Sequence, residues 1–255
     1  MTELAITDRP APAVARVTIN RPDRRNALGP EVRDALIAAM SAVLADDTVR
    51  SVVLCGAKGV FCSGGDISTM KRLEATAGRA RLKAHHHLVR LIAEADKPIV
   101  AAVEGFAVGA GGGLALLCDL IVMGQSAQIG FPFFRLGLVP DYGILYTLPK
   151  RVGMGVARQA VLLGTMFKGE EALRVGLADQ AVPDADVMAE AIRAAAEMGS
   201  HARAATALAK RLLATMPASL EGALEMEALA QPLLITSDDF VEGTAAFMEK
   251  RKPRF

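Results

Sequence analysis

Residues 99–141 read IVAAVEGFAVGAGGGLALLCDLIVMGQSAQIGFPFFRLGLVPD, and this stretch decides the fold. Its first five residues, Ile99 to Val103, are a short apolar run of the length of a buried strand. A glycine-rich turn follows, with Gly109, Gly111, Gly112 and Gly113 around Ala110, and the apolar residues 114–118 continue at a length suited to a helix. Strand, tight turn and helix start leave the first N–H groups of the helix without partners, pointing at whatever sits there. Such a terminus suits developing negative charge, and the glycines let a ligand come close to the backbone. A close-packed turn under a core helix is the other reading of the same residues.

A second glycine-rich turn, residues 59–67, follows another apolar run at 51–55 and offers a second N–H donor. Two donors from separate turns are what the oxyanion of a thioester needs. KPIVAAVEGFAVGAGGGLALLCDL at 97–120, FCSGGDI at 61–67, AQIGFP at 127–132, GLVPD at 137–141 and FMEKRKPRF at 247–255 together resemble the crotonase superfamily, the enoyl-CoA hydratase/isomerase family. The resemblance runs from PDRRNAL at 22–28 to the last residue, and its motifs are specific in combination. It implies an α/β fold, a crotonase-like spiral of repeated ββα units over residues 1–195 that carries an acyl-CoA site. A C-terminal helical oligomerisation region, 196–255, would then build homotrimers that pair into hexamers.

Composition agrees with one large domain, or a domain with a helical appendage. Of 255 residues, 52% are apolar and 22% charged, enough to bury a substantial core. A net charge of +1 gives no electrostatic argument for a nucleic acid or a membrane as partner. The N-terminus MTELAITDRP lacks the apolar run of a signal peptide, and residues 105–118 are too few and too glycine-rich to span a bilayer, so the expected location is cytoplasmic. Cys55, Cys62 and Cys118 have no metal-site spacing and read as reduced, buried thiols, with Cys62 beside the glycine turn as an alternative catalytic thiol.

Taken in order, 14–19 reads as a strand ended by Asn20-Arg21-Pro22-Asp23, and Val32, Leu36, Met40 and Val43 recur at helical spacing after Pro30. Residues 70–81 read as a mobile loop or frayed helix, and 82–94 as a helix with Leu82, His86, Val89 and Ile92 on one face. His85, His86 and His87 are consecutive, so on a helix they cannot all face one metal ion. Residues 152–163 read as another helix, GEEALRVGLADQAV at 169–182 as helix and strand, and 188–196, 201–214, 220–229 and 238–250 as tail helices. No G-x-G-x-x-G with an acid in register supports a dinucleotide fold.

The resemblance implies the site. Gly65 and Ala110 would donate the oxyanion N–H groups. Arg24, Arg25, Ala27, Ser63, Asp66, Ile67 and Ser68 would lie on the coenzyme A side, with Phe133 in the acyl pocket. Phe247 and Lys250 would close over the nucleotide end, in some members from the adjacent chain. Read as residues alone, the arginines are also a solvated loop, Asp66 a helix cap and Lys250 a charge at a helix C-terminus. No cofactor is implied beyond the acyl-CoA substrate, and no metal.

Hydratases of this family use two glutamates, and the matching positions here are Gly113 and Phe133, neither of which moves a proton. Ordinary hydration is therefore disfavoured. One carboxylate remains, Asp141, where double-bond isomerases of the family carry a lone acid. A single base suffices for them, because the proton taken from the α-carbon returns to the γ-carbon. Burial among Phe131, Phe133, Phe134 and Leu138 would raise the Asp141 pKa. A turn-stabilising aspartate after proline is the structural alternative. The enzymatic alternatives are hydrolase or dehalogenase-like chemistry by Asp141 with His86, although this chain lacks the tryptophan that dehalogenases carry at the Phe133 position. A member that binds acyl-CoA without turning it over is the remaining one.

Overall fold

The computed structural model describes residues 3–215, 217 and 219–255. Among the described residues, nine strands form two sheets. The larger has the order β1-β2-β3-β4-β6-β9, from β1 (Ala5–Ala11), β2 (Val14–Ile19), β3 (Ser51–Gly56), β4 (Ile99–Val103), β6 (Leu120–Gly124) and β9 (Gln180–Val182). The smaller is β5 (Phe106–Val108), β7 (Gln128–Gly130) and β8 (Met166–Lys168). From β2 onward the large sheet is parallel, and each turn of the chain adds one strand to it. This is the spiral that the sequence led us to expect.

Strand residues alternate between two apolar layers because successive side chains point to opposite faces. Val52, Leu54, Ile99, Ala101, Val103, Ile121 and Met123 face the main core with α1 (Pro30–Ala45), α2 (Ala75–Ala93) and α3 (Ala110–Leu117). Val53, Cys55, Val100, Ala102 and Val122 face α6 (Val187–Gly199), which offers Val187, Ala191, Ala194 and Ala195 at helical spacing. Both faces are covered, so β3 and β4 are buried along their whole length, as parallel strands usually are.

The remaining helices are α4 (Ile144–Leu162), α5 (Gly169–Arg174), α7 (Arg203–Thr215), α8 (Leu220–Ile235) and α9 (Asp238–Met248). Lys210 ties α7 to the sheet: its ammonium donates to Asp119 Oδ2 at 2.7 Å, and the same oxygen accepts the Ile99 amide at 2.7 Å. The outer surface of α8 and α9 stays apolar and open, with Leu229, Leu233, Val241, Phe247 and Met248 exposed. Among the described residues, no helix is long and apolar enough to cross a membrane.

Several elements differ from expectation. The edge strand β1 has one buried residue, Ala5, and so no apolar alternation to announce it. Helix α2 begins at Ala75, so that the segment 70–81, read as a mobile loop or frayed helix, is helical from Ala75 on. Its register is also rotated: Leu88 and Ile92 are buried and His85 turns inward, whereas His86 is exposed. Helix α4 takes in Leu148-Pro149-Lys150 and bends at Gly153, where φ is +72°. Helix α8 runs through Pro232, past the end expected at 229.

Candidate active site

Three chain segments meet at the ends of β3 and β5. The amides of Leu28 and Ser63 donate to the carbonyls of Gly64 (2.8 Å) and Arg25 (3.0 Å), and the Asp66 amide donates to Leu28 (3.1 Å). On the other side, Cys62 donates to Phe106 (2.8 Å) and Val108 donates back to Cys62 (3.0 Å). The turn at 59–67 is thereby stitched to the 24–28 loop and to β5, which leads straight into α3. Asn26, fully buried, adds to this: its Oδ1 accepts the Arg21 amide at 2.9 Å and its Nδ2 donates to the Ala57 carbonyl at 3.0 Å. Sequence reading passed over Asn26, since a single asparagine in a loop carries no pattern.

The stitching brings the two glycine turns together. A Cβ built on Gly64 would stand 2.8 Å from the Val108 carbonyl oxygen and 3.9 Å from the Ala110 nitrogen. Among the described residues, neither the Gly65 nor the Ala110 N–H donates to a protein acceptor. Ala110 is the first residue of α3, where amides have no partner within the helix.

Gly65 and Ala110 both line a cavity of about 250 Å³, lined also by Ile67, Met70, Phe133, Arg135, Leu138 and Asp141. Asp141 is the one carboxylate on that lining. Its Oδ1 is buried without a hydrogen-bond partner. Burial pushes its pKa up to about 6, against a lesser lowering by its own backbone and by the charge of Arg81. A carboxylate in this state is a base matched to neutral pH.

The other expected residues divide. Ala27 is buried, Ser63 and Phe133 line or adjoin the cavity, and Ile67 and Ser68 are exposed beside it. Arg24 and Arg25 are exposed on the adjoining loop, joined to it by the Ser63 hydroxyl, which donates to the Arg24 carbonyl at 3.4 Å. The Asp66 carboxylate is engaged within the protein: it pairs with Arg21 at 2.9 Å and caps the turn by accepting the Ser68 amide at 3.0 Å. Phe247 and Lys250 are exposed on the tail and do not line this cavity within one protomer. His86 is not brought to it either. The inward histidine is His85, stacked on Tyr142 and pushed down to about 4 by burial.

Of the residues expected to bury Asp141, Phe133 and Leu138 line the cavity, whereas Phe131 belongs to the core and Phe134 points to the surface. Cys62 is fully buried and its thiol is pushed up to about 12, which removes it as a nucleophile. Arg135 was not foreseen, being one arginine in an apolar stretch.

Residues 10–255 match the model of the family described as enoyl-CoA hydratase/isomerase. The chain belongs to the enoyl-CoA hydratase/isomerase family. A putative enoyl-CoA hydratase of Thermus thermophilus is 36% identical over 246 residues, which cover 95% of this chain and 97% of that protein. The 1,2-epoxyphenylacetyl-CoA isomerase of Escherichia coli is 33% identical over 248 residues, 95% of this chain and 94% of that one. Among solved structures, an enoyl-CoA hydratase from Bacillus anthracis superposes with a TM-score of 0.93 at 28% identity, covering 99% of this chain and 98% of that one. The fold is the crotonase fold, and this enoyl-CoA hydratase/isomerase family enzyme has relatives under both names.

Proposed function

We propose that the protein is a double-bond isomerase of acyl-CoA thioesters, converting 3-enoyl-CoA to 2-enoyl-CoA with Asp141 as its single base. One observation carries this reading: the cavity lined by Gly65 and Ala110, whose amides have no acceptor among the described residues, also holds one carboxylate, and its Oδ1 has no partner. Asp141 takes a proton from the α-carbon, and the resulting dienolate oxygen rests on the N–H groups of Gly65 and Ala110. These donors act where charge develops in the transition state. Asp141 then returns the same proton to the γ-carbon, so no second acid is needed.

Hydration would need a second proton-moving group. Gly113 and Phe133 stand where the family resemblance puts hydratase glutamates, and neither can serve. Dehalogenase-like chemistry would need His86 beside Asp141, but His86 faces solvent. On the coenzyme A side we assign Arg24, Arg25 and Ser63 to the bound nucleotide arm. The exposed apolar surface of α8 and α9 supports self-association as trimers, through which Phe247 and Lys250 would reach a neighbouring site.

The deciding assay pairs 3-enoyl-CoA with 2-enoyl-CoA on the purified protein and on Asp141→Asn. Double-bond migration that the variant loses, with deuterium placed at the α-carbon of the substrate reappearing at the γ-carbon, supports the reading. Hydration of 2-enoyl-CoA at ordinary enzyme rates overturns it, as does migration that survives the substitution. Sedimentation of the native protein as a monomer would remove the trimer.

A further inference from the structure

Next to the candidate base stands a tyrosine in a backbone conformation that suits tyrosine poorly. Tyr142 has φ of +50° and Gly143 φ of +74°, and the turn is closed by the Ile144 amide donating to the Asp141 carbonyl at 3.1 Å. Positive φ at both central residues is the pattern of a type I′ turn, which favours Asn, Asp and Gly. A bulky residue there persists only when its surroundings hold it.

Packing supplies that hold. Tyr142 is 3% exposed, and its ring centroid lies 5.5 Å from that of His85 on α2, with the planes tilted by 33°. Its Cβ faces Gly113 on α3 so closely that a Cβ on the glycine would stand 2.6 Å from it, and 3.2 Å from the side chain of Ile144. No side chain fits at position 113 while Tyr142 is in place. The sequence expectation that position 113 lacks a catalytic glutamate thus has a steric counterpart: the space is already filled.

We propose that Tyr142 is the positioning residue of the site: its packed ring fixes the left-handed turn that aims Asp141 into the cavity, and its bulk closes the space beside Gly113 to water and to a second carboxylate. The proposal deepens the isomerase reading and rests on it for its catalytic meaning, since a sealed base returns its proton to the substrate rather than to water. Charged and titratable groups facing this corner come from three directions. Arg81 on α2 acts on Asp141, Tyr142 and His85, and Arg33 on α1 acts on Tyr142 and His85. The buried thiol of Cys62 acts on Tyr142 from the 59–67 turn, and burial holds His85 uncharged near neutral pH.

The test follows the Asp141 carboxyl directly, by the carbon-13 shift of aspartate labelled at Cγ, with its signal identified by its loss in Asp141→Asn. In the native protein the expected titration midpoint is near 6, where burial places the carboxyl. Tyr142→Ala, which opens the space, lowers the midpoint by about one to two pH units, toward the ordinary carboxylate range. Tyr142→Phe keeps the native midpoint, because the ring and not the hydroxyl does the sealing. Gly113→Ala, which pushes the tyrosine aside without deleting it, lowers the midpoint as Tyr142→Ala does, and it decides the matter if Tyr142→Ala fails to fold. A native midpoint in folded Tyr142→Ala or Gly113→Ala overturns the proposal, as does a lowered one in Tyr142→Phe. The readout needs no turnover, so a protein that does not isomerise 3-enoyl-CoA would defeat the functional reading while this titration still judged Tyr142.

Discussion

The guanidinium of Arg21 lies 2.9 Å from Asp66 Oδ2, while Asp66 Oδ1 accepts both the amide and the hydroxyl of Ser68. The carboxylate therefore clamps the residue next to the Gly65 donor, and it joins the 59–67 turn to the loop at 21–28. Its pKa is held below the ordinary range, first by the Ser68 hydroxyl and then by the Ser68 amide and Arg21, against the cost of desolvation. Because the folded value is depressed, this stabilisation is present above the unfolded pKa of about 4 and is lost as pH falls through the folded value. Asp66→Ala should cost about 1–3 kcal/mol in urea melts at pH 7, because Arg21 and Ser68 lose their acceptor. The difference from the native protein should shrink at pH 3. An equal loss at both pH values would mean that the carboxylate's charge contributes nothing.

Gly64 and Gly65 are neighbours with opposite tolerance. Gly64 has φ of +106°, and an added Cβ would meet the Val108 carbonyl at 2.8 Å, main chain against main chain. Relief must come from separating the turn from β5, and so from the Ala110 amide. Gly65 has no such constraint, since its added Cβ meets only the terminal methyl of Met70, which can swing away. Gly64→Ala should lower kcat about 10²- to 10³-fold, the usual loss of an oxyanion donor, and Gly65→Ala less than tenfold. Steady-state rates of the two variants on a 3-enoyl-CoA, with circular dichroism to check folding, decide it.

How legible the site was depends on whether its signal was local. Ile99 to Val103, the glycine turn and α3 are contiguous, so strand, turn and free amides could be read directly. Asp141 was legible by elimination, because the resemblance named three acid positions and two held Gly113 and Phe133. The strands β5, β7 and β8 are three residues each, too short for an alternation to register. The histidine facing inward was misjudged by one position, because helix register depends on where α2 starts and the charged segment before it gives no apolar marker. Tyr142 could not be read at all as a partner of Gly113. That contact joins residues 29 apart in the chain, and no spacing rule reports which glycine a tyrosine will meet.

The pH dependence of turnover follows from the Asp141 environment. The base must be ionised to take a proton, and burial sets its pKa at about 6. Below that value kcat/KM should fall tenfold per pH unit, and above it the rate should level, because the free enzyme's base controls this parameter. Initial rates from pH 4.5 to 8 measure it. An acid limb near 4 would mean that water reaches the carboxylate.

The same burial makes Asp141 a cost to the fold. Its pKa is raised in the folded state, so the folded protein binds more protons than the unfolded one between about pH 4 and 6, and stability falls as pH rises across that window. Above pH 6 the full penalty applies, roughly 2 kcal/mol for a shift of this size in a partly buried group. Asp141→Asn removes the charge and keeps the shape. At pH 7.5 the variant should melt about 5 °C above the native protein, and at pH 4 the two should melt together. Activity would move the other way, down by about 10² to 10⁴, the usual contribution of a general base. A variant that melts lower than the native protein at pH 7.5 would mean that the carboxylate is well partnered, and the argument for an unpaired, desolvated base would be lost.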